Sequence, residues 1–160
     1  MPYNYWLLIH LFGVLGLLGT HGVSVFAMYR IRRQVPDREK IAETVAFSAS
    51  TVVPMYVALA VLLVGGVGAA LKGQYLKEPW IELSILILVL TLAGMYALAR
   101  PYFQKVTASC QIRPSGVPRV SDEELVELIR GPRAHVIAAI GTVGLVAIVC
   151  LMVFKPGLGT

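Results

Sequence analysis

Four stretches of the chain carry no charged side chain: residues 5–29, 44–71, 83–99 and 134–154. Each meets or nearly meets the roughly 20 residues that a helix needs to cross about 30 Å of hydrocarbon. The runs are continuously apolar, which excludes barrel strands, whose apolar and polar positions alternate over about ten residues. The pattern predicts an all-α, integral membrane four-helix bundle. It forms a single membrane domain over 1–160, with spans at about 5–29, 44–71, 80–99 and 134–154.

The polar breaks have their own signatures. Val35-Pro36-Asp37 interrupts the chain after the first span, and helix is expected to resume over 38–43 and run into the second. Pro54 lies within that second span. A proline there frees a carbonyl about one turn earlier, and Ser48, Ser50 and Thr51 supply hydroxyls to satisfy the gap. Farther on, the Pro- and Gly-rich stretch 113–118 predicts irregular chain. Ser121-Asp122-Glu123-Glu124 then reads as a capping box. Leu125, Leu128 and Ile129 follow at helical spacing, so one short amphipathic cytoplasmic helix is expected along the inner membrane surface, ended by Gly131-Pro132.

Basic residues orient this layout. Loops 30–43 and 100–133 hold 11 of the 14 Lys and Arg residues, and Lys72, Lys77 and Lys155 supply the other 3. By the positive-inside rule both loops are cytoplasmic and both termini lie outside. The first span lacks a basic leader and is followed by positive charge, so it reads as a retained anchor and not a cleaved signal. Tyr3, Tyr5, Trp6, Tyr29 and Trp80 fall where interfacial aromatics belong. Composition agrees: 57% of residues are apolar and 14% charged, against about 25% charged in soluble domains. The net charge of +5 is a topology signal and predicts contact with anionic lipid headgroups at Arg30, Arg32 and Arg33, not nucleic-acid binding. Two cysteines, Cys110 in a loop and Cys150 in the fourth span, make neither a disulfide framework nor a zinc motif.

The only ionisable side chains well inside the spans are histidines, and such groups are costly enough in hydrocarbon to be functional candidates. His10 and His21 are 11 residues apart, which returns them to within roughly 20° of one helix face, about 16 Å apart along the axis. That stripe is expected to face the bundle interior. His135 begins the fourth span and differs from His21 in depth by about 8 Å, so a bis-histidine haem lacks a level pair. Histidine with methionine is geometrically easier. Met55 and Met95 fall near the depth of His21, and Met152 near that of His10. Such sets suit a haem b or copper, since copper takes imidazole and thioether ligands. Each has an ordinary reading beside it: methionine fills gaps in apolar cores, and a membrane imidazole can simply hydrogen-bond to a neighbouring helix.

Gly13, Gly16, Gly19 and Gly22 recur every third residue in the first span, and Gly65, Gly66 and Gly68 crowd the outer end of the second. Small residues let membrane helices approach closely. No acid shares the membrane depth of the histidines, so a hydrolase triad has no support, and neither intramembrane carboxylates nor internal repeats suggest a transporter.

The stretch Leu7-Leu8-Ile9-His10-Leu11-Phe12-Gly13-Val14-Leu15-Gly16, with Gly19-Thr20-His21-Gly22-Val23-Ser24 and Arg30-Ile31-Arg32-Arg33, resembles the first helix of small bacterial membrane proteins of the copper-resistance D superfamily. That superfamily includes predicted integral membrane proteins of unknown function. Four-helix membrane protoporphyrinogen oxidases share an opening helix of this kind, with a haem-binding histidine. The resemblance spans about 30 of 160 residues. It implies a four-helix bundle in a bacterial cytoplasmic membrane with a His10-centred haem or copper site. No lysine lies within a span, so the oxidase activity is not carried over.

Two functional classes follow. The first is a non-catalytic accessory or assembly subunit that packs against other membrane subunits or a second copy of itself. The second is a haem b- or copper-binding redox protein with ligands from His10 or His21, with Met55, Met95 or Met152 as further candidates. The orientation is tested by labelling single cysteines in a variant lacking Cys110 and Cys150. A Gln74→Cys variant should react with a membrane-impermeant maleimide in intact cells, and Ser115→Cys only after permeabilisation. The reverse pattern would invert the topology.

Overall fold

The computed structural model describes residues 1–157 as six helices. They are α1 (Tyr3–Gln34), α2 (Arg38–Ser50), α3 (Val52–Gly73), α4 (Pro79–Cys110), α5 (Asp122–Arg130) and α6 (Arg133–Phe154). Four segments are long and apolar enough to cross a membrane: α1, α2 with α3, α4, and the run from α5 through α6. They run alternately up and down, so the described ends of the chain share one end of the bundle with connection 74–78, and connections 35–37 and 111–121 share the other with α5. These are called the terminal end and the loop-rich end.

Both α1 and α4 contain 32 residues, which makes each about 48 Å long and longer than the hydrocarbon core is thick. The surplus turns lie at the loop-rich end and build a core there. Met28 and Ile31 of α1 meet Ile41 and Val45 of α2, Tyr102 and Val106 of α4, Leu125 and Ile129 of α5, and Ile137 of α6. The α5 capping box is formed, with Ser121 Oγ accepting from the Glu124 N–H at 3.2 Å and Glu124 Oε2 accepting from the Ser121 N–H at 3.1 Å. Its apolar face is not laid on lipid, however. Leu125 and Ile129 are fully buried against protein, because the protruding turns of α1 and α4 offer an apolar surface nearer than the membrane.

The second span differs from an unbroken helix. α2 ends at Ser50 and α3 begins at Val52, since Pro54 has no N–H for the Ser50 carbonyl. Hydroxyls at the break bond carbonyls of the preceding turn and not the Ser50 carbonyl itself: Thr51 Oγ1 donates to the Ser48 carbonyl at 2.8 Å, and Ser50 Oγ to the Phe47 carbonyl at 2.7 Å.

Towards the terminal end the bundle resolves into two close pairs, α1 with α3 and α4 with α6. Glycine makes the first pair. A Cβ on Gly13 would overlap the backbone of Leu62, and one on Gly65 would overlap the backbone of His10. The two helices therefore touch main chain to main chain, where dispersion and weak hydrogen bonds replace the missing hydrophobic drive. In the second pair Thr91 fills the space over Gly144. Gly19 and Gly22 of the first-span glycine series face open space instead.

Adding a methyl separates these roles. Gly65→Ala should lower stability by about 2 kcal/mol as the α1–α3 contact is forced apart. Gly19→Ala should be neutral or stabilising by up to roughly 1 kcal/mol through helix propensity. Thermal unfolding in detergent reads the difference, and equal effects would contradict the contact.

Candidate functional site

His10 sits on α1 with 7% of its surface exposed. The contact just described places it. Gly65 lets the His10 backbone press on α3, and Gly66 clears the ring itself, since a Cβ there would lie 2.9 Å from Nδ1. The ring reaches over the α3 backbone, with Nδ1 at 2.8 Å from the Leu62 carbonyl oxygen. A carbonyl only accepts, so Nδ1 carries the hydrogen and donates it. In the neutral imidazole this leaves Nε2 as a bare lone pair. Nε2 points at Met152 Sδ of α6, 3.5 Å away, and a thioether sulfur carries no hydrogen either. Two lone-pair donors thus face each other inside the bundle, an arrangement that becomes attractive when a cation lies between them.

The separation discriminates between cations. Metal–nitrogen and metal–sulfur bonds of about 2.0 and 2.3 Å close on an N···S distance of 3.5 Å with an angle of about 110° at the metal. Axial ligands on opposite faces of a haem would need about 4.3 Å by the same bond lengths. The α1 and α3 backbones also touch beside the ring, leaving no slot for a macrocycle there. At this separation the two atoms suit neighbouring ligands of one ion whose coordination is completed by other groups, not the opposite axial ligands of a haem.

The other candidates are dispersed. His21 is half-buried and lies over Gly141 of α6, where a Cβ would overlap its ring; its Nε2 is buried with no hydrogen-bond partner. Both histidines of the α1 stripe therefore address α6, as their spacing predicts. Met95 packs against the loop-rich core, and Met55 is half-buried in the first turns of α3. Among the described residues, Met152 with His10 is the one methionine–histidine contact of hydrogen-bond length. His135 is exposed and pairs with Tyr29, hydroxyl to Nδ1 at 3.1 Å. Cys150 is exposed. Among the described residues no three His, Cys, Asp or Glu side chains converge on a metal-sized space; His10 and Met152 bring two ligand-type atoms together.

Aromatic residues lie beyond it at the terminal end. Trp6 lies over Gly68, Tyr75 tilts against Trp80 at 5.7 Å, and Lys155 Nζ sits 5.3 Å from the Tyr75 ring and 5.7 Å from that of Trp80. Trp80 is buried in protein instead of lying open at the interface, because Tyr75 and Lys155 cover it. Sequence reasoning missed the Leu62 carbonyl as the group that fixes the His10 tautomer. The paired Gly65-Gly66 at matching depth was the one trace of it.

The family described as predicted integral membrane protein (DUF2269) matches residues 5–156. The chain belongs to that family. The match takes in all four apolar segments, and both His10 and Met152. Comparison with curated proteins and with solved structures returns no match.

The tautomer can be observed without any ligand. In nitrogen NMR spectra of ring-labelled protein, His10 should give a protonated Nδ1 and an unprotonated Nε2. A signal for the opposite tautomer would remove the lone pair from the Met152 side.

Proposed function

We propose that the protein binds a soft monovalent metal ion, copper(I), inside the membrane between His10 Nε2 and Met152 Sδ. One observation carries this reading: His10 Nε2 and Met152 Sδ lie 3.5 Å apart in a partly buried place, with His10 Nδ1 held on the Leu62 carbonyl. Thioether and imidazole together favour copper(I) over the harder ions, which prefer oxygen. The Leu62 carbonyl acts as an outer partner, holding the ring orientation. The reading is copper handling within a small bacterial cytoplasmic membrane protein, not haem-based electron transfer.

The accessory-subunit reading keeps one observation of its own. Gly19 and Gly22 lie on α1 with nothing packed on them, a small-residue surface that suits close approach by a helix of a second chain.

Purified protein in detergent, titrated with copper(I) against a coloured chelator, tests the metal site. The wild-type chain should take up one ion. His10→Gln and Met152→Leu should each lose at least about tenfold in affinity, within the range found when a metal-site partner is removed. Met152→Leu conserves volume and should cost less than about 1.5 kcal/mol in stability, so its loss of copper cannot be blamed on unfolding. Unchanged affinity in a folded Met152→Leu protein would overturn the site. A Soret band in the oxidised and reduced spectra of protein from its native membrane would replace copper by haem. A colourless sample that binds no copper would leave a purely packing role.

A further inference from the structure

The loop-rich end carries a groove of about 560 Å³ lined by Lys105, Ala108, Ser109, Arg113, Arg119 and Val120. It exists because α4 runs on to Cys110 and the chain then folds back on it as a tight hairpin. Within the hairpin the Arg113 N–H donates to the Val117 carbonyl at 2.9 Å, and the Arg119 N–H to the Gln111 carbonyl at 3.2 Å. Gly116 supplies the left-handed turn residue, with φ of +79°. Arg113 thus lies opposite Val117 and Arg119 opposite Gln111, and the Arg113 guanidinium donates to the Arg119 carbonyl at 3.4 Å, which draws the two arginines together at the neck of the hairpin.

Arg38 fastens the hairpin to the bundle. Its guanidinium donates to the Ser109 carbonyl, to the Val120 carbonyl at 2.8 Å and to Asp122 Oδ1 at 2.7 Å. The same contact neutralises Asp122, the acid nearest the groove in sequence. Among the described residues the ion pairs are Arg38–Asp122 and Lys40–Asp37. Lys105, Arg113 and Arg119 are thus three cations gathered on one built concavity with no carboxylate paired to them.

Height along the membrane normal narrows the ligand. Arg100 lies against the Tyr96 ring, 5.2 Å from its centroid, and donates to its hydroxyl at 2.6 Å. Such a basic–aromatic pair belongs at the hydrocarbon edge. Lys105 is five residues further along α4, about 7.5 Å outward, whereas the headgroup layer is about 5–8 Å thick on each side. The groove therefore opens at the level of lipid phosphates. The first loop offers less. Arg32 turns inward, its guanidinium donating to the Ile129, Arg130 and Gly131 carbonyls at 2.9–3.1 Å, and Arg30 leans over the Phe26 ring at 6.0 Å.

The geometry points to a binding site for the phosphate of an anionic phospholipid headgroup in this groove, contacted by Lys105, Arg113 and Arg119. Ala108 and Val120 give the glycerol an apolar wall. The lipid contact expected of Arg30, Arg32 and Arg33 moves largely to the other loop.

Native mass spectrometry of the detergent-solubilised protein, titrated separately with phosphatidylglycerol and phosphatidylcholine, tests the site. Wild-type protein should retain phosphatidylglycerol preferentially. The K105Q/R113Q/R119Q variant should lose on the order of 100-fold in that affinity, at roughly fivefold per neutralised cation near the surface, while phosphatidylcholine binding is unchanged. R30Q/R33Q should retain near wild-type affinity. The main-chain bonds of the hairpin do not use the three substituted side chains, R113Q removes one long side-chain bond to the Arg119 carbonyl, and circular dichroism checks the fold. Equal loss in both variants, or no loss in the triple variant, would overturn the proposal. Displacement of the lipid by millimolar inorganic phosphate would overturn the lipid assignment in favour of a free anion.

Discussion

The main-chain contact between α1 and α3 is the constraint from which the membrane half of this protein follows. In hydrocarbon, helices gain nothing from burying one leucine against another, so their approach must be made favourable by closeness itself. Gly13 and Gly65 remove the two side chains that would hold the helices apart. Once the backbones touch, the His10 ring has nowhere to go but across α3, and Gly66 leaves the space for it. The tautomer of His10 and the direction of its free nitrogen are consequences of that packing, not independent features.

Polar groups inside the bundle show what this costs. His10 is satisfied on one side by Leu62 and faces a sulfur on the other. His21 Nε2, Trp6 Nε1, Trp80 Nε1 and Tyr102 Oη are buried with no hydrogen-bond partner in the protein. An unpaired buried donor or acceptor typically costs about 1–3 kcal/mol, so these four atoms mark positions where packing has outweighed polarity. His10 differs from them in being aimed, by a hydrogen bond, at a second ligand-type atom.

The loop-rich end is governed by different physics. There the surplus turns of α1 and α4 stand clear of hydrocarbon, and ordinary apolar burial can operate. α5 exploits this, covering the cluster with Leu125 and Ile129, while Arg32 satisfies the last carbonyls of α5 and complements the negative end of its dipole. Arg38 performs the parallel task for the hairpin. Two arginines from one positively charged loop thus act as internal fasteners.

The number of apolar helices long enough to span was legible in the sequence because it depends on charge-free length, whereas the break before Pro54 was legible only as a missing N–H within an otherwise continuous span. The α5 cap was legible because Ser121 and Glu124 satisfy each other within a single turn. The facing of His10 and His21 followed from helical period alone, and shared depth along two upright helices was enough to place Met152 among the candidates. Periodicity does not say which glycines are used. Gly13 and Gly16 lie against α3 while Gly19 and Gly22 of the same series meet nothing, because helix contact depends on crossing geometry. Nor does composition say that Arg32 points inward, or that Arg113 and Arg119 converge with Lys105 on one groove. Those outcomes rest on contacts between residues far apart in the chain, and only the packed structure decides them.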